Sequence, residues 1–329
     1  MFYPFFTTKN NNMSSIFEKR NQLRPFEYPE MQDFREAIYH SFWTHDEVNF
    51  TKDINDYKSI MSDSERNLTK RCLLAIWQIE NSVRSFWGNI WDMLPKPEIE
   101  AVWACFASNE VIHMLSYSHL LDILWLEEEF NKLNEHKELW DRHEYLSQIT
   151  KFTDRKSFVK ALIQFGLLTE WTALFSQFYS LIAINKRTWL LQWVQNIIKY
   201  TATEENLHGT AALHLVKLIK EENESLFDTD EIMIILEKAY DAEIKVIERM
   251  YEWVDADYIS KEETIRFLKH RFNNAATSIG LPNMFTEESI EEFDFFYEVI
   301  EMTTHVDFFV KRSTEYTKSD TPFTSEDLF

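Results

Sequence analysis

Two glutamate–histidine pairs with the same spacing are the residues of this chain best suited to chemistry. His113 follows Glu110 by three positions, and His208 follows Glu205 by three positions. Residues three apart project from one face of an α-helix, so each pair can present a carboxylate and an imidazole to the same point. Hard oxygen ligands combined with imidazole suit iron and manganese. The spacing therefore predicts a metal site.

Two further glutamates interrupt otherwise apolar helical stripes. Glu80 lies on the stripe of a predicted helix over 63–91, and Glu170 lies on that of a predicted helix over 155–184. An unpaired ionised carboxylate in an apolar interior is costly and would take up a proton instead. Salt-bridged or protonated core carboxylates are the plain alternative to a metal site. Single glutamates from two helices, with Glu-x-x-His from two others, are the signature of ferritin-like dimetal bundles.

Tyr117 lies one helical turn beyond His113, on the same face of the predicted helix 98–127. Its ring is therefore expected to approach the metal ligands. A core tyrosine whose hydroxyl bonds to a ligand is one interpretation. A redox-active phenol that is oxidised at the metal site is the other.

The composition favours an all-α fold, since the chain has only 4 Gly and 7 Pro and sheet-rich folds need many turns. We expect an irregular segment over 1–30, a helical domain over 31–312 and a flexible C-terminal tail over 313–329. The polar stretch 131–153 is interpreted as a connection between helices. The predicted helices cover 31–42, 63–91, 98–127, 155–184, 187–220, 229–254, 261–279 and 287–311.

The charge of the chain excludes two classes of function. A formal net charge of −21 argues against binding to nucleic acid and against electrostatic attachment to an anionic membrane. The apolar run 166–184 contains Glu170, so it indicates a buried core helix rather than a membrane span. Cys72 and Cys105 are interpreted as reduced thiols, and no signal peptide is recognised. A cytoplasmic protein is expected.

Several motifs resemble the small, radical-generating subunit of class I ribonucleotide reductase. The string Ser108-Asn-Glu110-Val-Ile-His113-Met-Leu-Ser-Tyr117 is similar to that family's second ligand helix, and Thr203-Glu-Glu205-Asn-Leu-His208 to its last. The segment Ser41-Phe-Trp43-Thr-His-Asp-Glu47 resembles the part that carries the tryptophan of the radical-transfer route. The acidic ending up to Phe329 resembles the tail that docks on the large subunit. The resemblance runs from about residue 25 to the end.

The resemblance implies a role for each matching residue. One metal ion would use Glu80, Glu110 and His113. The other would use Glu170, Glu205 and His208, with Glu110 and one later glutamate bridging the two ions. The residues implied for radical storage and for transfer to the partner are Tyr117, Trp43, Glu204 and Tyr316.

Three positions depart from the family pattern. The first ligand is usually Asp, and Glu80 in its place is reminiscent of subclasses that use manganese, as Mn/Fe or as Mn₂. Leu174 stands where a Phe is usual, and Thr201 stands where an aliphatic residue is usual. A more polar pocket would shorten the life of a tyrosyl radical. Storage of the oxidant by Tyr117 or by a high-valent metal pair, and the choice among Mn₂, Mn/Fe and Fe₂, therefore stay open.

The implied function is that of the ribonucleoside-diphosphate reductase small subunit. An oxygen species would activate the dimetal site, and the stored oxidant would pass to a large subunit that reduces ribonucleotides. The implied partners are a second copy of the chain and the large subunit; a flavoprotein activase stays open. The alternative is a stand-alone ferritin-like dimetal oxidase or oxygenase, which needs neither the tail nor Trp43. An iron-storage bundle is the non-catalytic alternative.

Overall fold

The fold is all-α, as the composition predicts. The computed structural model describes residues 14–48, 50–83, 85–132, 135–256, 258–286 and 288–300, and these ranges contain no β-strand. The predicted tail over 313–329 lies outside the described residues.

Four helical elements form the centre of the bundle and carry all the candidate metal ligands. α3 packs on α5 and α9, and α10 packs on the π-helical segment that leads into α9. Their bounds, with those of the N-terminal helices, are α1 Met31–Ser41, α2 Thr51–Asn55, α3 Asp63–Val83, α4 Phe86–Asn89 and α5 Pro97–Ile123. The later elements are α6 Glu127–Asn131, α7 Lys137–Ile149, α8 Arg155–Leu162, the π-helical segment Ile163–Ala173, α9 Leu174–Thr188, α10 Gln192–Glu222, α11 Thr229–Met250 and α12 Lys261–Ser278.

The helix starts follow ordinary capping chemistry. Pro97 occupies the first turn of α5, where its missing N–H costs nothing, and acidic side chains complement the positive end of the helix dipole. Asp154 and Ser157 form a capping box at the start of α8. The Ser260 side chain accepts the Glu263 N–H at 3.0 Å and caps α12. These caps fix where the long helices begin.

Several predicted helices and connections differ from the structure. The predicted helix 63–91 ends at Val83, and Trp87 lies in the separate short helix α4. The prediction of a connection over 131–153 is wrong, because α7 lies there and buries Leu139 and Leu146. In the predicted helix 287–311, residues 294–300 are helical, and 301–311 lie outside the described residues.

The segment that carries Glu170 is a π-helix rather than an α-helix. Over Ile163–Ala173 the backbone takes wider turns. Two buried hydroxyls match this geometry: Thr169 donates to the Gln164 carbonyl at 3.0 Å, and Thr172 donates to the Leu167 carbonyl at 2.6 Å. Each bond spans five residues, which is the π-helical separation. The wider turns set the direction in which the Glu170 side chain leaves the helix.

Two glycines bring α10 against the π-helical segment. A Cβ atom at Gly209 would lie 2.5 Å from Cβ of Trp171, and a Cβ atom at Gly166 would overlap that of Ala212. Neither position can carry a larger side chain unless the two elements move apart. The close approach places Glu170 beside the ligands of α10.

The start of α10 is capped by a side chain from another helix. The Asp53 carboxylate of α2 accepts the backbone N–H of Trp193 at 2.8 Å and of Val194 at 2.7 Å. Asp56 accepts the N–H of Leu191 at 3.2 Å. Both aspartates are buried. This contact fixes the N-terminal end of the helix that carries Glu205 and His208.

One helical stretch of the described chain, Arg155–Thr188, is long and apolar enough to cross a membrane, but 89% of its most apolar window is buried inside the bundle. It is a core helix, as the position of Glu170 within it predicts.

Candidate metal centre

The six predicted ligands converge in the middle of the bundle. α3 provides Glu80, the π-helical segment provides Glu170, and α5 and α10 each provide one Glu-x-x-His pair. All six side chains are fully buried. They form two groups of four, each with donor atoms within 4.8 Å of one another: Glu80, Glu110, His113 and Glu205, and then Glu110, Glu170, Glu205 and His208. Since Glu110 and Glu205 belong to both groups, they are placed to bridge two ions.

α5 and α10 run antiparallel through the centre, and their ligands pair in register. His113 Nδ1 lies 3.1 Å from a Glu205 oxygen, and one turn away His208 Nδ1 lies 3.2 Å from a Glu110 oxygen. Residues that precede His113 on α5 therefore pair with residues that follow Glu205 on α10. This register lets the identical spacing of the two pairs serve a single site.

The donor set fits cations better than it fits a salt-bridged core. A buried carboxylate elsewhere, Glu243, has a protein cation of its own, with Arg142 Nη1 at 3.0 Å. Among the described residues, the ion-pair partners recorded for the four central glutamates are only the two histidines. Both carboxylate oxygens of Glu80, Glu110 and Glu205 lack a hydrogen-bond partner. Orphaned buried oxygens of this kind are what two divalent ions would satisfy.

The electrostatics of the centre also call for positive charge. Burial raises the pKa of Glu80 to about 8, and burial together with the charges of Glu205 and Glu110 raises that of Glu170. Burial favours neutral imidazole, yet the surrounding carboxylates raise the pKa of His113 and of His208 well above the usual value. Protons on the imidazoles balance the carboxylates when no ion does. Metal ions would take over that role and release protons.

A tryptophan holds one of the ligands in place. Trp87 of α4 donates its Nε1–H to Glu170 at 2.9 Å, and its ring stacks on Trp103 with centroids 4.8 Å apart. The other oxygen of Glu170 lies 3.6 Å from His208 Nδ1. The sequence places Trp87 only as a member of an apolar stripe. Its bond to a ligand depends on the break between α3 and α4, which helical periodicity does not reveal.

Glu204 connects the centre to Trp43. His113 Nε2 lies 2.7 Å from Glu204 Oε2, and the same oxygen accepts the Trp43 Nε1–H at 3.1 Å. Ser41 donates to the other Glu204 oxygen at 3.3 Å, a contact that the sequence does not predict. Glu204 and Trp43 are both buried. A chain of hydrogen bonds therefore leads from a candidate ligand to an indole.

Tyr117 lies beside the centre and is 1% exposed. Burial and the nearby Glu80 charge raise the pKa of its phenol well above the usual value, while Thr201 lowers it. A phenol held neutral in this way can lose an electron only if it also loses a proton. Tyr316, the other predicted tyrosine, lies outside the described residues.

Comparisons with known proteins agree with this geometry. Residues 20–292 match the family model of the ribonucleotide reductase small chain. The chain belongs to this family. The resemblance seen in the motifs is thereby confirmed, and the chain is a subunit of an oxidoreductase with a dimetal carboxylate site.

Individual relatives are distant but match over most of their length. The ribonucleoside-diphosphate reductase subunit beta of Chlamydia pneumoniae is 24% identical over 90% of this chain and 90% of its own. The ribonucleotide reductase R2 subunit from Clostridium botulinum has a TM-score of 0.80 at 18% identity, covering 90% of this chain and 97% of that one. Streptococcus sanguinis dimanganese(II)-NrdF has a TM-score of 0.74 at 20% identity, covering 86% and 100%. The ferritin-like fold is thus confirmed.

Proposed function

We propose that this chain is the radical-generating subunit of a ribonucleoside-diphosphate reductase, with the roles of its residues as predicted from the sequence. The first donor group would hold one metal ion, and the second would hold the other. Bound manganese or iron would supply the one-electron oxidising chemistry that carboxylates and imidazoles lack. The observation that carries the proposal is the chain of hydrogen bonds from His113 through Glu204 to Trp43.

The protein residues position charge and exclude water. Glu204 holds His113 Nε2 and the Trp43 indole on one oxygen, so a proton at this carboxylate can follow an electron that passes between them. Tyr117 is sealed from solvent, which would protect a stored radical. Trp43 is 2% exposed and would carry the oxidant from the centre towards a partner. Tyr316 in the tail would carry the oxidant onwards to the large subunit.

The manganese proposal rests on Glu80 and on the named relatives. The Streptococcus sanguinis neighbour is a dimanganese(II) protein, and a further neighbour is an R2-like ligand-binding oxidase with a Mn/Fe cofactor, at a TM-score of 0.68. We propose Mn₂ or Mn/Fe ahead of Fe₂ for this chain. We further propose that it acts in the cytoplasm, as a homodimer whose tail docks on the large subunit; a flavoprotein activase is a further candidate partner.

The test is loading of the purified chain with Mn, with Fe and with both, followed by metal analysis and electron paramagnetic resonance. Two ions per chain are expected, and addition of the large subunit should give deoxyribonucleotide formation. Removal of residues 316–329 should abolish turnover and leave the metal content unchanged. Turnover that persists without the tail, or without the large subunit, would instead favour a stand-alone oxidase.

A Tyr117→Phe variant separates the two modes of storage. Loss of turnover together with loss of the organic radical signal would assign storage to Tyr117. Full turnover in the variant would assign it to the metal pair. Metal content serves as the control, because Tyr117 is not one of the six candidate ligands.

A further inference from the structure

Thr201 and Tyr117 are two buried hydroxyl residues that face each other across α5 and α10. In the antiparallel register, His113 pairs with Glu205 and Glu110 pairs with His208. Tyr117 lies four residues after His113, and Thr201 lies four residues before Glu205. The same register therefore brings Thr201 opposite Tyr117, one turn beyond the ligands. Both side chains are fully or almost fully buried, at 0% and 1% exposure.

Neither hydroxyl is satisfied elsewhere. Tyr117 Oη and Thr201 Oγ1 both lack a hydrogen-bond partner among the described residues, each other included, so a bond between them requires a small rotation of one side chain. Other threonines of α10 behave differently, since Thr203 donates to the Lys199 carbonyl at 2.9 Å and Thr210 to the Asn206 carbonyl at 2.7 Å. The Thr201 hydroxyl thus makes no hydrogen bond to a backbone carbonyl of α10. Two unsatisfied buried hydroxyls on facing turns are costly, and a hydrogen bond between them would remove that cost.

Thr201 acts to lower the pKa of Tyr117, which agrees with the register in placing the two hydroxyls within reach of each other. A hydroxyl that donates to the phenol oxygen stabilises the form that lacks a proton. A phenol oxygen that has lost its proton can only accept, and the threonine O–H can rotate to donate to it. An aliphatic residue at 201 could do neither.

We propose that Thr201 is a positioning residue for Tyr117, which donates a hydrogen bond to the phenol oxygen and thereby fixes the ring and tunes its oxidation. The bond itself requires no metal, so it holds whichever way the oxidant is stored. Its effect on a radical rests on the proposed function of Tyr117.

A double-mutant cycle tests the bond directly. In the full-length chain loaded with Mn(II), in which Tyr117 is reduced, unfolding by urea is measured for Thr201→Val, Tyr117→Phe and the double variant at one protein concentration. A net hydrogen bond predicts a coupling of about fivefold in the unfolding equilibrium constant. Additive effects would overturn the proposal.

Thr203→Val is the matched control, because the Thr203 hydroxyl bonds to its own helix. It should show no coupling to Tyr117→Phe. Thr201→Ser keeps the donor and should retain the coupling. Coupling of equal size at Thr203 would reveal a general effect of α10 packing and would count against a specific bond.

Electron paramagnetic resonance measures the g values of a tyrosyl radical. These values would not change if Thr201 had a purely structural role. If Tyr117 carries a radical, Thr201→Val should shift its largest g value upwards, since a donated hydrogen bond lowers it, and Thr201→Ser should restore the original value. An unchanged g value would overturn the proposed bond to the radical. Absence of any tyrosyl radical would overturn the role of Tyr117 in the proposed function. The double-mutant cycle would still show whether Thr201 and Tyr117 form a hydrogen bond.

Discussion

At the scale of single residues, the centre separates four carboxylates that are placed to hold ions from a fifth, Glu204, that is not. Glu204 is buried beside Glu205 in the chain, yet it belongs to neither donor group. Its oxygens are occupied by His113, Trp43 and Ser41. Glu204 is therefore expected to act between the centre and the indole rather than on the ions.

Glu204→Ala should retain two metal ions per chain and reduce turnover with the large subunit by at least about tenfold, because it removes the hydrogen bonds that join His113 to Trp43. Metal analysis and steady-state turnover measure the two effects. Trp43→Phe should have the same result, and the double variant should be no worse than either single one, as for residues that act as a unit. Loss of metal in Glu204→Ala would show that this residue is a ligand.

The ligand residues were predictable because each is a polar group on an apolar stripe. Glu80, Glu110 and Glu170 interrupt apolar helical stripes, where an ionised carboxylate needs a buried counter-charge and would otherwise take up a proton. Glu204 does not break a stripe, and only the family resemblance singles it out. Trp87 gives no signal at all, since an indole that bonds to a carboxylate looks like any other core residue in the sequence.

At the scale of elements, the distance between α10 and the π-helical segment is set by glycine. Gly209→Ala places a methyl group 2.5 Å from Trp171 Cβ, so the elements must separate. We expect a loss of stability of about 1–3 kcal/mol and a metal content below two per chain, measured by urea unfolding and metal analysis.

Gly88→Ala is the control for that experiment. Gly88 also lies in a helix, but nothing is within 4 Å of a Cβ atom there. The substitution should leave the metal content unchanged and stabilise the fold slightly, by up to about 1 kcal/mol. If both glycine variants lose metal, the close approach of the two elements is not the cause.

The cap on α10 gives a dependence of stability on pH. Burial raises the pKa of Asp53 to about 6 from a usual value of 3.8, although the backbone N–H groups that it caps lower it. The folded chain therefore binds more protons than the unfolded chain between about pH 4 and 6, so this residue's contribution to stability falls as pH rises through that window. Wild type should lose stability relative to Asp53→Asn between pH 5 and pH 7.5, measured by urea unfolding.

The Asp53→Ala variant separates the contribution of the helix cap to stability from that of the carboxylate charge. It removes the acceptor of two N–H groups and should cost about 1–2 kcal/mol at pH 7.5. A constant difference between wild type and Asp53→Asn across the pH range would show that the carboxylate does not titrate there.

The long elements were predictable, and their irregularities were not. Apolar periodicity located α5, α11 and α12 closely, whereas it extended α3 beyond Val83 and began α10 before Gln192. α7 was missed because its buried face includes Arg142, a residue that reads as a surface position until its partner Glu243 on α11 is known. The π-helical turns were missed because hydroxyl bonds such as that of Thr172 depend on atoms and not on the spacing of apolar residues.

At the scale of the whole molecule, the described residues leave an apolar face on α5 exposed. Small chains of this family work as dimers, and helix α5 is apolar on its outer face as well as its inner one. Val111 is 44% exposed and Leu115 is 39% exposed, while Tyr39 on the adjacent α1 is 62% exposed. Tyr39 faces Cys105 of α5, so the two helices share this surface. We propose it as the dimer face.

Leu115→Asp should weaken dimerisation by about a hundredfold or more, since it would bury an unpaired carboxylate between two copies. Sedimentation velocity at several protein concentrations measures the effect. Trp253→Asp is the control, because that side chain is 88% exposed and lies after α11. A dimer that resists Leu115→Asp would place the interface elsewhere.

The wider turns of the π-helical segment have a consequence for changes in chain length. A π-turn holds one residue more than an α-turn, so deletion of a single residue within Ile163–Ala173 could be absorbed by a tightening of the backbone into an ordinary α-helix. The flanking helices would keep their places. Residues between the deletion and the next turn would rotate by about 100° around the helix axis, and Glu170 would then point away from the centre. A chain with one residue deleted here would keep its fold and would lose Glu170 as a candidate metal ligand.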